Sequence, residues 1–367
     1  MNFDFSDDSK LLRDQARRFL AERCGTRQVR QVLEGKAPYL QDVWQEAAAM
    51  GWFGAAIPEE YGGGGLGHEA LCVLAEELGR ALAPLPFHSS AVLGAEAILA
   101  AGTEQQKRDH LPRIAAGETI ATVALGTGAG EPTPARVQLT LRDGRLSGEA
   151  WPVPDGGIAH IAVVAARQGG TVVLALADLT GPGVTRTTLD SVDPTRPLAR
   201  LSFDGALATP MAQGWDAVRG VLDRAAVLLA FEQLGGAAAC LDMATTYAKE
   251  RHAFGRPIGS FQAIKHKLAD VYIATELARS NAYYGAWAVS AGGAELPLAA
   301  ATARVSVSEA FFLAAKENIQ VHGGIGFTWE MDCHLFYRRA KHLALLLGSV
   351  RHWKDRVVSE LELRNAA

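Results

Sequence analysis

The 367-residue chain holds 36 Lys and Arg against 40 Asp and Glu, a formal net charge of −4, and 49% of it is hydrophobic. That length supports two or three domains with a large core, while the balanced charge and the lack of any basic block leave no nucleic-acid footprint. No uninterrupted apolar run reaches the roughly 18 residues of a membrane span, so neither nucleic acid nor membrane is expected as a partner.

The start, Met1 to Asp8, is acidic and polar and reads as neither a signal peptide nor a transit peptide. Cys24, Cys72, Cys240 and Cys333 lie far apart without paired spacing. They read as reduced thiols of a cytoplasmic protein, with no disulfide or metal site expected.

Residues 1–118 read as a helical domain. Ser6 to Ser9 can cap a helix beginning near Lys10, with Leu11, Leu12, Ala16, Phe19 and Leu20 at helical spacing. A second helix is expected from about Leu40 to Met50. The glycines between Gly62 and Gly67 then break the pattern. No Lys-Ser/Thr follows them, so the segment is not a nucleotide P-loop but a turn before a helix from His68 to Leu82. Another helix starts near Gly102. Residues 119–214 are short, β-branched runs rich in Gly and Pro. Val137–Arg142 alternates apolar and polar residues and leads into a hairpin turn at Asp143–Gly144. Ile161–Ala166 and Thr171–Leu176 read as buried strands joined through Gln168–Gly170, with a further strand at Leu198–Phe203. A β-barrel or sandwich is expected there. Residues 215–367 return to long, Ala-rich helical patterns that argue an antiparallel four-helix bundle. The fold class is therefore α+β.

Between two of those long helices stands Arg251 to Gln262, interrupted by Gly255, Pro257 and Gly259. A loop there presents a guanidinium (Arg251), an aromatic ring (Phe254) and an amide (Gln262) from a rigid scaffold, groups suited to a phosphate-bearing, partly aromatic cofactor. On spacing alone a helix–helix corner with a solvent-facing arginine explains the same stretch.

The whole layout resembles the acyl-CoA dehydrogenase family. The carriers are Tyr247 to Gln262, Lys265 to Asp270 and Gln320 to Glu330, supported by Pro58 to Gly63, Gln106 to Gly117 and Arg338 to Lys341. The resemblance implies an oligomeric flavoprotein with FAD at the subunit interface. It further implies that Arg251, Phe254 and Gln262 contact the diphosphate and adenosine half of a neighbouring subunit's FAD, with Gln320, Gly323 and Gly324 packing on the same side. His322 is read as packing beside that cofactor, not as a catalytic histidine. The implied reaction is α,β-dehydrogenation of an acyl-CoA, in which a carboxylate removes the α-proton while hydride leaves for the flavin. The implied electron acceptor is an electron-transfer flavoprotein.

The sequence departs from that family where the base belongs. One family position is occupied by Leu347 and the other by Ala225. Glu232, two helical turns beyond Ala225 and about 10 Å away, is the candidate for a displaced base. Asp223 ranks below it, because one or two residues swing a side chain far around the helix. The strand motifs that face the flavin in the family are also altered, at Leu125–Gly130 and at Gly148–Pro154. The leading expectation is a partner subunit in a hetero-oligomeric acyl-CoA dehydrogenase of fatty-acid or steroid breakdown, lending its FAD contacts across an interface. The alternatives are a homo-oligomer using Glu232, and a flavin oxidase or monooxygenase on the same fold.

Overall fold

The computed structural model describes residues 5–366. Helices α1 (Asp7–Arg23), α2 (Thr26–Leu33), α3 (Gln41–Ala49), α4 (Gly67–Arg80), α5 (Ala95–Ala101) and α6 (Glu104–Ala115) come first. Strands β1 (Ala121–Ala124), β2 (Thr140–Arg142), β3 (Arg145–Pro154), β4 (Ile161–Gln168), β5 (Thr171–Asp178), β6 (Val184–Leu189) and β7 (Leu198–Gly214) follow. The long helix α7 (Asp216–Glu250) leads to a small hairpin, β8 (His252–Ala253) and β9 (Arg256–Pro257). Helices α8 (Gln262–Ala291), α9 (Leu296–His322), α10 (Cys333–Leu345) and α11 (Val350–Ala366) complete the chain. This is the expected α+β order of helices, β domain and helices. α1 begins earlier than Lys10 because Ser6 itself is the cap, its hydroxyl accepting from Ser9 N at 3.2 Å, with Asp7 and Asp8 in the first turn.

Spatial contact divides the chain differently from chain order, into two compact units. One contains Arg30–Leu71 and Pro84–Ala225; the other contains the residues up to Val29, Cys72–Ala83 and everything from Ala226 onward.

The first of these units is built on the β domain. Its strands pair in the order β1-β4-β2-β3-β7-β5, and β5 pairs again with β4, so five of them close a ring. Closure removes the unpaired edges that an open sheet would expose. Two connections are two-residue turns with positive φ at both positions: Asp143 and Gly144 at 49° and 72°, and Gly169 and Gly170 at 56° and 92°. That is the turn whose twist matches a right-handed hairpin. The helical part of the unit is fixed by Trp44, whose ring stacks on Phe53 at 3.7 Å and whose indole N–H donates to Gly117 O at 2.8 Å.

The second unit is helical. α4 and α7 touch backbone to backbone. A Cβ on Gly79 would lie 1.8 Å from Glu232 O, and one on Gly235 would lie 1.8 Å from Glu76 O. Only glycine at both places permits that approach. Ion pairs anchor the surrounding helices: Arg17 grips Glu77 with two hydrogen bonds, at 2.9 and 2.7 Å, and Arg279 pairs with Glu76 at 2.7 Å. Asp216–Glu250 and Leu296–Phe327 are long and apolar enough by composition to cross a membrane, although polar residues interrupt their apolar runs. Most of each apolar window, 72% and 61%, is buried inside the protein, as in the core helices of a bundle.

Candidate functional site

The site is built at one end of the helical unit, where α7, α8 and α9 meet. Ala244, Ala248 and Val321 form a small buried cluster there, with Tyr247, Ile258, Ile264 and Leu268 packed on it. It joins the base of the β8–β9 hairpin to the last turn of α9. The two long motifs of the sequence, Tyr247–Gln262 and Gln320–Glu330, thus share one surface.

The hairpin turns at Phe254 and Gly255, with φ of 53° and 78°. A bulky side chain rarely adopts positive φ, and holding one there costs about 1–3 kcal/mol. The Phe254 ring is nevertheless 96% exposed, with the Phe261 ring edge-on at 6.2 Å. Arg251, Gln262 and Gln320 are exposed, and among the described residues their side chains have no hydrogen-bond or ionic partner. Gly323, at φ 64°, and Gly324 are exposed too, and a Cβ on either would meet nothing within 4 Å. Phe327 beyond them is 84% exposed. Behind this surface His322 is buried, its ring stacked on Tyr247 at 4.2 Å and its Nδ1 2.8 Å from Asn318 O. Burial lowers its pKa against that hydrogen bond, so the imidazole is neutral.

The base positions are apolar. Ala225 and Leu347 are both buried. Leu347 sits at φ 63° and is followed by Gly348 at 107°. The turn carrying it is pinned by Arg304, which donates to Leu343 O and, at 2.8 Å, to Leu346 O. Arg304 also donates to Gln233 and, at 2.6 Å, to Ser308. Burial pushes the Arg304 pKa down to about 9, with Glu232 opposing, so the group is still charged at neutral pH. Glu232 is buried and accepts from Arg339 at 3.1 Å, while Arg339 also donates to Leu82 O at 3.2 Å. Asp223 is buried as well, in the other unit.

The altered strand motifs close on each other. Gly128 N donates to Trp151 O at 2.8 Å, Trp151 N to Gly126 O at 3.0 Å, and Thr127 N to Arg136 O at 2.9 Å. The peptide groups of this segment are therefore engaged within the β domain, with Arg200 lying over the Trp151 ring at 5.2 Å.

Two family models match the chain: the N-terminal domain of acyl-CoA dehydrogenases over residues 6–118 and the C-terminal domain over residues 212–352. The acyl-CoA dehydrogenase IpdE2 of Mycobacterium tuberculosis is 34% identical over 362 residues, spanning 97% of this chain and 98% of that protein. The chain belongs to the acyl-CoA dehydrogenase family. Its class is thus that of flavoprotein oxidoreductases acting on the CH–CH bond of acyl-CoA thioesters. Among solved structures, a variant of the Tcur3481–Tcur3483 steroid acyl-CoA dehydrogenase superposes with a TM-score of 0.90 at 32% identity, covering 98% of this chain and 99% of that one. The ChsE4–ChsE5 complex of Mycobacterium tuberculosis superposes with a TM-score of 0.91 at 27% identity, covering 99% of both chains.

The residues present fit a dinucleotide flavin on the outer surface of the helical unit. An arginine without an ionic partner suits a phosphate. The open space above Gly323 and Gly324 suits close approach of a ligand to the backbone. Sequence reasoning missed Arg339 and Arg304 as the groups that organise the bundle interior. The Arg338–Lys341 motif contained one of them, but nothing in its spacing shows that Arg339 turns inward to Glu232.

Proposed function

We propose that this chain is a subunit of a hetero-oligomeric, FAD-dependent acyl-CoA dehydrogenase, and that it lends cofactor contacts to a neighbouring subunit instead of supplying the catalytic base. One observation carries the reading: a strained and exposed aromatic hairpin, with an arginine that has no ionic partner among the described residues, stands on a chain whose two base positions hold buried Ala225 and Leu347. FAD held there would supply the hydride acceptor for the acyl β-carbon. This chain's share is to hold the cofactor's nucleotide half. Arg251 would hold the diphosphate, and Phe254, Gln262 and Gln320 would contact the same diphosphate and adenosine half. Gly323 and Gly324 let the adenosine side lie against the backbone.

Glu232 is assigned a structural role. Its carboxylate is buried and held by Arg339 at 3.1 Å, a pairing that serves the bundle interior. The base is assigned to the partner subunit. Similarity to a steroid acyl-CoA dehydrogenase and to the ChsE4–ChsE5 complex supports a steroid-derived or fatty acyl-CoA as substrate and a dehydrogenase-like partner. An electron-transfer flavoprotein is the proposed acceptor and the cytoplasm the proposed compartment.

The test is to purify the chain alone and together with a base-carrying dehydrogenase subunit, and to assay both on a panel of acyl-CoA thioesters. Turnover confined to the mixed assembly supports the reading. Robust turnover by the chain alone sinks it.

A further inference from the structure

The hairpin carries a second arginine that the reading above does not use. Ala253 pairs with Arg256, His252 with Pro257, and Ile258 N donates to Arg251 O at 2.7 Å, which sets Arg251 opposite Ile258. Residues directly opposite each other in an antiparallel pair point to the same side, as do alternate residues along one strand. Arg251, Ala253 and Arg256 therefore share a side of the ribbon. The two arginines are diagonal neighbours, a spacing of about 7–8 Å or somewhat less between Cβ atoms that long side chains can bridge. Between them Ala253 contributes only a methyl group.

Arg256 is held ready. Its guanidinium lies 4.1 Å above the Phe261 ring. A guanidinium stacked on an aromatic face is steadied by cation–π attraction while its in-plane N–H donors stay free. Arg256 is exposed and, among the described residues, has no carboxylate partner. Two like charges on one side of a two-stranded ribbon repel each other. An anion bearing charge on two linked groups relieves that repulsion and gives each guanidinium its own set of oxygens.

We propose that Arg256 is a further cofactor-binding residue, which together with Arg251 clamps the diphosphate of an ADP-containing cofactor and is positioned for it by Phe261. The inference rests on the shared-cofactor reading and adds a residue and a geometry to it. It also means that the full chain by itself binds ADP, because both arginines are its own.

Calorimetric titration of the purified full chain with ADP and with AMP at low salt tests this. Saturable ADP binding is expected. Arg256→Met should weaken ADP by about tenfold or more, the loss of one charge-assisted contact of about 1.5–3 kcal/mol, and should weaken AMP much less. Arg256→Lys should recover part of the loss, and Phe261→Leu, which leaves the charge and removes the ring, should weaken ADP by a few fold. Unchanged circular dichroism and melting confirm that the substitutions leave the fold intact. No saturable ADP binding by the wild-type chain, unchanged affinity in Arg256→Met, or equal losses for ADP and AMP would each overturn the proposal. Flavin absorbance of the chain copurified with a base-carrying subunit separates the two claims. FAD retained there with Arg256→Met silent refutes Arg256 alone, whereas no FAD in any assembly refutes the shared-cofactor reading with it.

Discussion

The carboxylate of Glu232 lies 3.1 Å from the Arg339 guanidinium, and both side chains are almost fully buried. Removing one partner of a buried pair leaves the other charge uncompensated and costs about 3–5 kcal/mol. Glu232→Gln should therefore lower the melting temperature clearly, while dehydrogenation per folded mixed assembly persists. A double replacement of Glu232 and Arg339 by Met should recover much of the loss. The opposite pattern, activity abolished with melting unchanged, would identify Glu232 as the base after all.

The α4–α7 contact makes a sharper stability prediction. A Cβ at Gly79 would penetrate to 1.8 Å of Glu232 O, a backbone atom that no rotamer can move. Overpacking of this kind costs about 1–3 kcal/mol, occasionally more, because the helices must separate. Gly79→Ala and Gly235→Ala should each be strongly destabilising in urea. Gly293→Ala is a useful contrast: a Cβ there meets nothing within 4 Å, so only its φ of 92° is strained.

Stability should also fall on mild acidification. His160 Nδ1 accepts the Ile120 N–H at 2.9 Å, which requires a neutral ring. Burial lowers the His160 pKa, and Arg186 and Arg113 lower it further, with Asp178 opposing. Burial lowers the pKa of His322 as well. In both cases the folded pKa lies below the unfolded value of about 6.5. As pH falls the unfolded chain takes up the proton first, so this contribution is complete above about pH 6.5 and is lost as pH drops toward the folded pKa. Urea midpoints should decline across that window, and His160→Asn should flatten the decline. A midpoint that rises through it contradicts the assignment.

The thiols should be silent in the native protein. Cys24, Cys72, Cys240 and Cys333 are free and buried. Burial pushes Cys24 and Cys333 up to about 12 and Cys240 well above its ordinary value. Since the thiolate is the reactive species, a thiol-specific disulfide reagent should label none of them before denaturation and all of them after. Rapid native labelling of any one would show that its surroundings open.

Much of this was readable from local sequence. Asp143–Gly144 and Gly169–Gly170 form the hairpins that their residue types require, and Ser6 caps α1. Arg251 and Phe254 stand out because Gly255, Pro257 and Gly259 interrupt two long helical patterns. α2 is not legible in the same way, because Thr26–Leu33 is a short helix with only a few apolar residues. Nor is the π-helix at His88–Gly94, which is buried all round and has no amphipathic period. The Gly79–Gly235 crossing and the inward turn of Arg339 depend on which helices meet, and periodicity within one helix does not encode that. The same limit applies to Glu232: its place on α7 was countable from the sequence, but its partner was not.

The account depends most directly on where flavin and base reside. The decisive measurement is FAD content and acyl-CoA turnover of this chain alone, of a base-carrying partner alone, and of the two combined, with Arg251→Met introduced into this chain in the combined sample. Flavin and turnover that reach their full level only in combination, and that drop together with Arg251→Met, are the predicted result. A chain that holds FAD and turns over acyl-CoA unaided, indifferent to any partner, would contradict it.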